Sequence, residues 1–352
     1  MSERTWPVLL DRLVAGNHLT AEDTSWAMNE VMSGHATPSQ ISGLVVALRA
    51  KGETPDEVAG MASAMLSHAR RVSIDTPTAD VVGTGGDQAG TVNISTMSAL
   101  VTAAAGVPVV KHGNRAASSQ CGAADVLAEL GVAIELSPEA VAECVREVGI
   151  GFCFAPAFHP ALRHAGPTRK ELGIPTAFNI LGPLTNPAQP TSALVGCASE
   201  RLAPVVAEVL AGRGFSVLVV RGDDGLDEIT TTTTTTVWVA SGGTVRVDKI
   251  DPRALSVSAC VAHDLAGGDA AKNAAVLRSV VGGAAGPVRD TVLLNAAGTI
   301  AAFRGLSDDL HADLAAGMES AAQAIDSGRA AELLDTWTRL SVVLRDAALA
   351  AN

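Results

Sequence analysis

The sequence predicts an α/β protein in which a small helical domain precedes a larger domain built on a mainly parallel sheet. Apolar residues recur at helical spacing through residues 5–70. From about residue 75, short apolar runs alternate with helical stretches, which is the pattern of a parallel sheet covered by helices. A chain of 352 residues has room for about two domains. We therefore predict a helical domain over residues 1–74 and an α/β domain over residues 75–352.

The N-terminal segment carries start and stop signals for several short helices. Thr20, Thr37 and Thr54 are candidate N-caps, because a threonine hydroxyl can accept a hydrogen bond from a free N–H of the first turn. The last two are followed by proline, which is favoured at the first helical position. Glycine ends helices readily, and the candidate ends are Gly16, Gly34 and Gly52.

Beyond residue 75, the pattern predicts four strands and the helices between them. The predicted strands are Ala79–Val82, Val107–Val110, Ser192–Cys197 and Phe215–Val220. The predicted helices are Asp125–Leu130, Pro138–Val148 and Ala203–Leu210. Residues 264–286 form a loop into a short helix, and residues 290–304 and 308–346 close the chain, the latter strongly helical. Seven consecutive threonines, Thr230–Thr236, predict a strand or its edge, because threonine favours extended backbone.

Composition excludes several classes of protein. The net charge of −12 argues against nucleic-acid binding, which requires a basic surface. The charge does not exclude an anionic substrate, provided that basic residues gather locally or a metal supplies positive charge. Five scattered cysteines without a CxxC pair predict buried thiols in a reducing cytoplasm. No membrane span is predicted, since no apolar run approaches about 20 residues.

A glycine-rich turn, Gly83-Thr84-Gly85-Gly86-Asp87, follows the first predicted strand. Three glycines in four positions let backbone N–H groups approach a ligand closely. The next helix begins near Asn93-Ile94-Ser95-Thr96, which offers hydroxyls and free N–H groups to an anion. The turn is not a dinucleotide fingerprint, because Gln88 stands where the third glycine belongs. A purely structural tight turn is the alternative.

A basic and polar segment, Lys111-His112-Gly113-Asn114-Arg115-Ala116-Ala117-Ser118-Ser119, follows the second predicted strand. The carboxyl edge of a parallel sheet is where α/β proteins bind ligands. Lysine and arginine suit phosphate oxygens, and Asn114 can both donate and accept hydrogen bonds. The segment therefore predicts an anion site, and a solvated basic turn is the alternative.

A third basic stretch runs from His159 to Lys170. On one continuous helix, Arg163 and Lys170 would share a face and Arg169 would lie beside it. An arginine there could bind a carboxylate with two hydrogen bonds. An ordinary exposed basic helix fits the pattern equally well.

The stretch Asn179–Pro187 contains Gly-Pro and Asn-Pro steps. Such steps restrict the backbone. We therefore predict a rigid connection that forms a hinge between domains or a wall of the site.

An acidic segment, Asp223-Asp224-Gly225-Leu226-Asp227-Glu228, follows the fourth predicted strand. Four carboxylates within six positions repel one another unless a cation lies among them. Oxygen ligands without cysteine or histidine suit Mg²⁺, which bridges carboxylates to substrate phosphates. A solvated acidic loop is the alternative. The other acidic pair, Asp308-Asp309, predicts only a helix start.

Taken together and in this order, these stretches resemble the anthranilate phosphoribosyltransferase family. Each motif is weak alone, but the ordered set is specific and spans nearly the whole chain. The matching residues are Gly83 through Asp87, Asn93 through Thr96, Lys111 through Arg115, Arg169 through Gly173, Asn179 through Pro187, Asp227 through Ile229, and Leu293 through Ala296.

The resemblance implies an α/β domain of the nucleoside-phosphorylase type found in class IV phosphoribosyltransferases. It implies that a segment of about residues 168–190 joins the N-terminal helices, and that the helical domain forms a homodimer. The implied reaction, in tryptophan biosynthesis, transfers the phosphoribosyl group of phosphoribosyl pyrophosphate (PRPP) to the amine of anthranilate, with two Mg²⁺ ions per chain.

The resemblance also implies roles for individual residues. The implied PRPP contacts are Gly83, Gly86, Asp87, Thr91, Asn93, Ile94, Ser95, Thr96, Lys111, His112, Gly113, Asn114, Arg115, Ala116, Ala117, Ser118, Ser119 and Ala123. The implied anthranilate contacts are Gly83, Asn114 and Arg169. The implied metal ligands are Ser95, Asp227 and Glu228.

Two departures from the family pattern are present. Cys121-Gly122-Ala123 stands where the family has Ser-Gly-Ser or Ser-Gly-Gly, so that only backbone contacts at Ala123 can be carried over. Thr230–Thr236 replaces a more varied segment, and the resemblance gives it no function. Three other functions stay open: transfer to another aromatic amine, a pyrimidine-nucleoside phosphorylase, and a non-catalytic relative that binds nucleic acid.

Overall fold

The computed structural model describes residues 4–116 and 120–351. The predicted contacts at Ala117, Ser118 and Ser119 lie outside the described residues. The chain begins with four helices, which are α1 (Trp6–Val14), α2 (Ala21–Met32), α3 (Pro38–Lys51) and α4 (Pro55–Ser67).

The predicted helix signals in this N-terminal segment are confirmed. The hydroxyls of Thr20, Thr37 and Thr54 each accept a hydrogen bond from the third residue of the following helix, whose side chain accepts one in return. The glycines that follow α1, α2 and α3 adopt positive φ angles of 78° (Gly16), 75° (Gly34) and 95° (Gly52).

A single sheet of seven strands lies within the described residues. Its strands are β1 (Ala79–Gly83), β2 (Val109–Gly113), β3 (Ile150–Phe154), β4 (Ser192–Gly196), β5 (Ser216–Gly222), β6 (Thr235–Ser241) and β7 (Thr244–Ile250). Their order is β3-β2-β1-β4-β5-β6-β7. The pairs from β3 to β5 are parallel, and β6 and β7 add antiparallel strands at one edge.

Helices cover both faces of this sheet. The remaining α-helices are α5 (Ile94–Ala104), α6 (Ala123–Glu129), α7 (Pro138–Val148), α8 (Ala155–Phe158), α9 (Gly166–Leu172), α10 (Phe178–Leu184), α11 (Ala203–Gly212), α12 (Ala270–Val281), α13 (Pro287–Arg304), α14 (Leu310–Asp326) and α15 (Arg329–Ala350). In the described part of the chain, no helix is long and apolar enough to cross a membrane.

The two faces of the sheet belong to two hydrophobic clusters. Along β5, Leu218 and Val220 belong to the cluster formed with α5, α13 and α14. Val217 and Val219 alternate with them and belong to the cluster formed with α1–α4, α10 and α11. The N-terminal helices therefore pack, together with α10 and α11, on one side of the sheet.

Three sequence predictions about these elements were incomplete or wrong. The strands β3, β6 and β7 were not predicted. Only Thr235 and Thr236 of the threonine run lie in a strand, because the first five form a loop. Arg163 and Lys170 do not share a helix. A 3₁₀ helix ends at His164 and α9 begins at Gly166, where Pro167 starts a new helix.

The strand order indicates where on the sheet a ligand site is expected. Strands β2 and β4 lie on opposite sides of β1, so the direction of the strand order reverses there. Open α/β sheets bind ligands at such a reversal, outside the carboxyl ends of the strands. β1 ends at Gly83, β2 at Gly113, β4 at Gly196 and β5 at Gly222, and the predicted glycine-rich, basic and acidic segments follow β1, β2 and β5.

Candidate active site

The loop after β5 crosses the ends of β1 and β4 at Asp227. The Asp227 Oδ2 atom accepts a hydrogen bond of 2.7 Å from the backbone N–H of Gly85. A Cβ atom added to Gly83 would lie 2.4 Å from this Oδ2, and one added to Gly196 would lie 1.6 Å from the Asp227 carbonyl oxygen. The acidic segment and the glycine-rich turn are therefore in direct contact. Only glycine at positions 83 and 196 leaves room for this contact.

Lys111 reaches the same place from β2. Its side chain is buried, and its Nζ donates to the Val81 carbonyl at 2.5 Å and to the Ser95 Oγ at 3.2 Å. Burial lowers the pKa of Lys111, and the nearby carboxylates of Asp80, Glu228 and Asp227 oppose that shift.

Asp227 and Glu228 are two neighbouring carboxyl groups whose charged forms are disfavoured at the site. Burial and the neighbouring Asp87 raise the pKa of Asp227 to about 8. Burial and Asp227 raise the pKa of Glu228 well above its usual range, and the Lys111 charge and a hydrogen bond from the Ser95 backbone oppose that shift. The two carboxylates therefore lack sufficient positive charge from the protein itself.

The donors at this site fit a magnesium ion that also binds a substrate. Asp227, Glu228 and Ser95 offer only hard oxygen atoms, which Mg²⁺ prefers. Among the described residues, no group of three or more His, Cys, Asp or Glu side chains could hold a metal ion. Mg²⁺ sites commonly use one or two carboxylates and complete the coordination with water and substrate phosphates.

The start of α5 is held by a side-chain network around Asn93. Its Nδ2 donates to the Cys121 carbonyl at 3.1 Å, and its Oδ1 accepts from the Asn273 Nδ2 at 2.9 Å. The side chains of Ile94 and Thr96 are buried, and their backbone N–H groups donate to the carbonyls of Val92 and Asn93. Thr91 precedes them and pairs with Ala266 in an isolated β-bridge. The Ser95 side chain is the one that contacts Lys111.

The segment after β2 is held by Asp125. This carboxylate accepts from the Arg115 Nη1 and from the Ala116 N–H, both at 2.9 Å. The exposed Asn114 accepts the Arg115 N–H at its Oδ1. Within this segment, Arg115 forms an ion pair with Asp125, and the exposed Asn114 retains its amide nitrogen as a candidate donor.

The departure at Cys121-Gly122-Ala123 lies against this segment. A Cβ atom on Gly122 would lie 2.4 Å from the Ala116 backbone nitrogen, so glycine is required there. Ala123 begins α6, and its Cβ would lie 3.2 Å from a Cβ on Gly113. The turn therefore keeps the glycine of the Ser-Gly-Ser or Ser-Gly-Gly pattern at position 122, while Cys121 and Ala123 replace the residues on either side.

His112 and His159 form a buried pair whose ring centroids are 5.2 Å apart. The His112 Nδ1 bonds to the Gly182 carbonyl at 3.1 Å, and the His159 Nε2 bonds to the Thr185 carbonyl at 2.9 Å. Burial lowers the pKa to about 3 for His112 and about 4 for His159. Both rings are therefore neutral at pH 7, and each donates its single N–H to a carbonyl.

Arg169 packs on α10, the helix that also contacts His112. Its guanidinium lies 5.1 Å from the centre of the Phe178 ring on α10, and Gly182 of the same helix contacts His112. Burial lowers the pKa of Arg169, and no charge in the described chain offsets this shift. The structure therefore offers a partly dehydrated guanidinium without a carboxylate partner.

Sequence reasoning missed Asp80 and Asn186. The buried Asp80 accepts from the His112 N–H at 3.3 Å and from the Asn186 Nδ2 at 2.8 Å. Burial raises its pKa to about 6, while the charge of Lys111 opposes that shift. The available signal was a carboxylate inside the apolar run Ala79–Val82, where a charged residue requires a partner.

A cavity of about 390 Å³ adjoins the glycine-rich turn on the side of the helical segment. Its lining includes Gly85 and Gly86 of the turn together with Arg49, Glu53 and Arg201. The Arg201 Nη1 lies 2.5 Å from the Glu53 Oε2, an ion pair that joins the helical segment to the α/β part beside the site.

The chain matches two families that describe its two parts. Residues 7–69 match the glycosyl transferase family, helical bundle domain, and residues 75–331 match the glycosyl transferase family, a/b domain. The fold and the site thus define a two-part glycosyltransferase, and the predicted fold class is confirmed.

Curated relatives specify the family within this class. The chain is 63% identical over 337 residues to the anthranilate phosphoribosyltransferase of Saccharopolyspora erythraea, with 96% of each chain covered. It is 60% identical to that of Nocardia farcinica, covering 96% of this chain and all of the relative. The chain belongs to the anthranilate phosphoribosyltransferase family, as predicted, and is a transferase of the glycosyltransferase class.

Solved structures agree with this assignment. The anthranilate phosphoribosyltransferase of Thermus thermophilus is 39% identical and superposes with a TM-score of 0.88, covering 94% of this chain and 98% of that one. The Saccharomyces cerevisiae enzyme in complex with PRPP and Mg is 28% identical with a TM-score of 0.87, covering 97% and 99%. These relatives support anthranilate as the acceptor over the predicted alternatives.

The raised pKa of Asp227 predicts how the metal-free protein responds to pH. The folded protein keeps this proton up to pH about 8, whereas the unfolded chain releases it near pH 3.8. Stability therefore falls as pH rises between these values. In EDTA at pH 8, we expect Asp227→Asn to unfold at a higher temperature than wild type, with the difference narrowing steadily towards pH 5.

Thermal unfolding followed by circular dichroism measures this difference, and Asp308→Asn is the control because its carboxylate is exposed. A constant difference between pH 5 and pH 8, or a variant no more stable than wild type at pH 8, would contradict the burial of an uncompensated charge at Asp227.

Proposed function

We propose that this chain transfers the phosphoribosyl group of PRPP to the amine of anthranilate, giving N-(5-phosphoribosyl)anthranilate and pyrophosphate. One observation carries the proposal: the glycine-rich turn, Ser95, Lys111 and the pair Asp227-Glu228 meet at the reversal of the strand order. A pyrophosphate leaving group needs N–H donors, a cation and metal ligands together, and the site brings these groups into one cleft.

The PRPP site is proposed to comprise the residues predicted from the sequence between Gly83 and Ala123. At the start of α5, the Ser95 hydroxyl and the Lys111 ammonium are proposed to bind the pyrophosphate, because the backbone N–H groups of this turn already donate within the chain. Gly85 and Gly86 have φ angles of +66° and +85°, which glycine adopts readily, and the absence of side chains there lets a ligand approach the backbone of the turn. These groups hold PRPP by its charge and fix the direction in which pyrophosphate leaves.

Two magnesium ions per chain are proposed, one at Ser95 and one at Asp227 and Glu228. When bound, Mg²⁺ supplies positive charge that offsets the negative charge developing on the departing pyrophosphate. The yeast relative that binds PRPP and Mg supports this use of the site. The oxygen-only donors and the raised pKa values of both carboxylates also support it.

Anthranilate is proposed to contact Gly83, Asn114 and Arg169. The partly dehydrated Arg169 guanidinium suits the anthranilate carboxylate, which would supply the missing negative charge. The aromatic amine is neutral at pH 7, so it attacks the ribose carbon without a strong base. The protein's task is therefore to align the amine with the breaking bond. A yeast relative in complex with 4-fluoroanthranilate supports an acceptor of this kind.

We further propose a cytoplasmic homodimer that associates through a helical domain of residues 1–74 and about 168–190. Exposed apolar side chains on this part of the chain support the dimer. They are Val8 and Val14 on α1, Val46 on α3, and Ile174, with exposures between 40% and 80%.

The loss of anthranilate fluorescence tests the reaction, because the free amine fluoresces and is consumed. We expect loss only when PRPP and Mg²⁺ are both present. Asp227→Asn should raise the Mg²⁺ concentration for half-maximal rate by roughly tenfold or more, a loss of about 1.4 kcal/mol. Asp308→Asn, at an exposed position, should leave it unchanged. An unchanged Mg²⁺ midpoint in Asp227→Asn would remove Asp227 from the metal site.

Arg169→Ala tests the anthranilate contact. Removing a charged hydrogen-bonding group costs about 1.5–3 kcal/mol, so the KM for anthranilate should rise by roughly 10- to 100-fold while the KM for PRPP stays nearly constant. Arg163→Ala is the control, because Arg163 belongs to the same basic stretch but is exposed. Steady-state kinetics with each substrate varied in turn measures both constants, and equal losses for the two substrates would refute this role of Arg169.

A further inference from the structure

The run of seven threonines, Thr230–Thr236, has no part in the reaction proposed above, although it begins two residues after Glu228. Only Thr235 and Thr236 belong to β6. The first five threonines form a loop against the end of β5, where the acidic segment begins. The hydroxyls of Thr230, Thr232 and Thr234 bond to carboxylates of the acidic segment, whereas the Thr231 hydroxyl bonds to Thr291 on α13.

Asp224 is the partner of two of these threonines. Its Oδ2 atom accepts a hydrogen bond of 2.8 Å from the Thr230 hydroxyl and a second one from the Thr232 hydroxyl. Its Oδ1 atom accepts the backbone N–H of Leu226 at 3.1 Å. One carboxylate thus joins the two ends of segment 226–230, which carries Asp227 and Glu228.

The same segment is held from the inside by Asn295 on α13. The Asn295 Oδ1 accepts the Ile229 N–H at 2.9 Å, and its Nδ2 donates to the Ile229 carbonyl at 2.8 Å. The Thr230 N–H donates to the Thr235 hydroxyl at 3.0 Å. Segment 226–230 is therefore fixed at both ends and on both sides.

These contacts divide the acidic cluster into two pairs. Asp223 is exposed and accepts from Thr234 at 2.5 Å, from Thr236 at 3.0 Å and from Lys249 at 2.7 Å. Asp223 and Asp224 thus face the threonines, whereas Asp227 and Glu228 face the cleft. The threonine run binds Asp223 and Asp224, which leaves Asp227 and Glu228 for the site.

We propose that Asp224, Thr230 and Thr232 are positioning residues that keep the carboxylates of Asp227 and Glu228 together for a divalent metal ion. This inference rests on the proposed function. Two neighbouring carboxylates repel each other, so an unrestrained segment relaxes to separate them. The Asp224 bridge opposes that relaxation, as groups that hold metal ligands in place do in other proteins.

The test measures metal binding without turnover, by the electron paramagnetic resonance signal of free Mn²⁺ in the presence of pyrophosphate. The double variant Thr230→Val, Thr232→Val removes two hydroxyls at nearly constant volume. We expect it to raise the Kd for Mn²⁺ roughly tenfold, the effect typical of losing such a supporting contact. The corresponding double serine variant keeps both hydroxyls and should bind within about twofold of wild type.

The matched control is the double variant Thr234→Val, Thr236→Val. These threonines bind Asp223, which keeps Lys249 as a partner, so Mn²⁺ binding should stay within about twofold of wild type. If the variant at Thr230 and Thr232 does not fold, the single variant Thr232→Val, at a half-buried position, decides the question with a roughly threefold rise in Kd.

Asp227→Asn in the same assay separates the two proposals. If it binds Mn²⁺ as tightly as wild type, the proposed metal site is wrong and the positioning role falls with it. If it loses binding while the valine variants at Thr230 and Thr232 bind like wild type, only the positioning role is overturned. The threonines are likewise excluded as positioning residues if Asp224→Ala weakens binding and the valine variants do not, because Asp224 would then act without them, for example through the Leu226 N–H.

Discussion

The close passage of Asp227 over the ends of β1 and β4 is the contact on which the site depends. Side chains at Gly83 and Gly196 would collide with Asp227, so the loop after β5 can lie on the sheet edge only because both strands end in glycine. This passage buries a carboxylate at the reversal of the strand order, next to the Gly85 N–H and to Glu228. The position of the acidic segment therefore follows from two missing side chains.

That geometry also determines the electrostatics of the site. The chain carries a net charge of −12, and the site adds two carboxylates whose pKa values are raised by burial. Lys111 is the buried cation at the site, and its ammonium is already bound to Val81 and Ser95. In the proposed function, Mg²⁺ is therefore central rather than accessory, because the two buried carboxyl groups need a cation before they ionise, and the strongly anionic substrate needs the same positive charge.

Local signals in the sequence predicted much of this structure. The threonine caps and the glycines at helix ends predicted the N-terminal helices. They could do so because the capping contacts join residues three or four positions apart. The glycine-rich, basic and acidic segments each follow a strand, so their meeting at one sheet edge could also be predicted. The family resemblance supplied the particular substrates, which the residues alone did not specify. The residue roles remain predictions.

Contacts between distant residues could not be predicted in this way. Asn186 lies 106 positions from Asp80, and Asn295 lies 66 positions from Ile229, so no local pattern joins them. The threonine run was predicted as extended from its propensity, but hydrogen bonds to Asp223 and Asp224 hold most of it in a loop. Tertiary partners overrode propensity at that segment.

The central claim is that Asp227 holds a proton until a cation replaces it. Calorimetric titration of Mg²⁺ into the protein with pyrophosphate at pH 7, in buffers of different ionisation enthalpy, counts the protons released on binding. Because the pKa of Asp227 is raised to about 8, we expect wild type to release about one proton more per chain than Asp227→Asn. Equal release by the two proteins would contradict the claim.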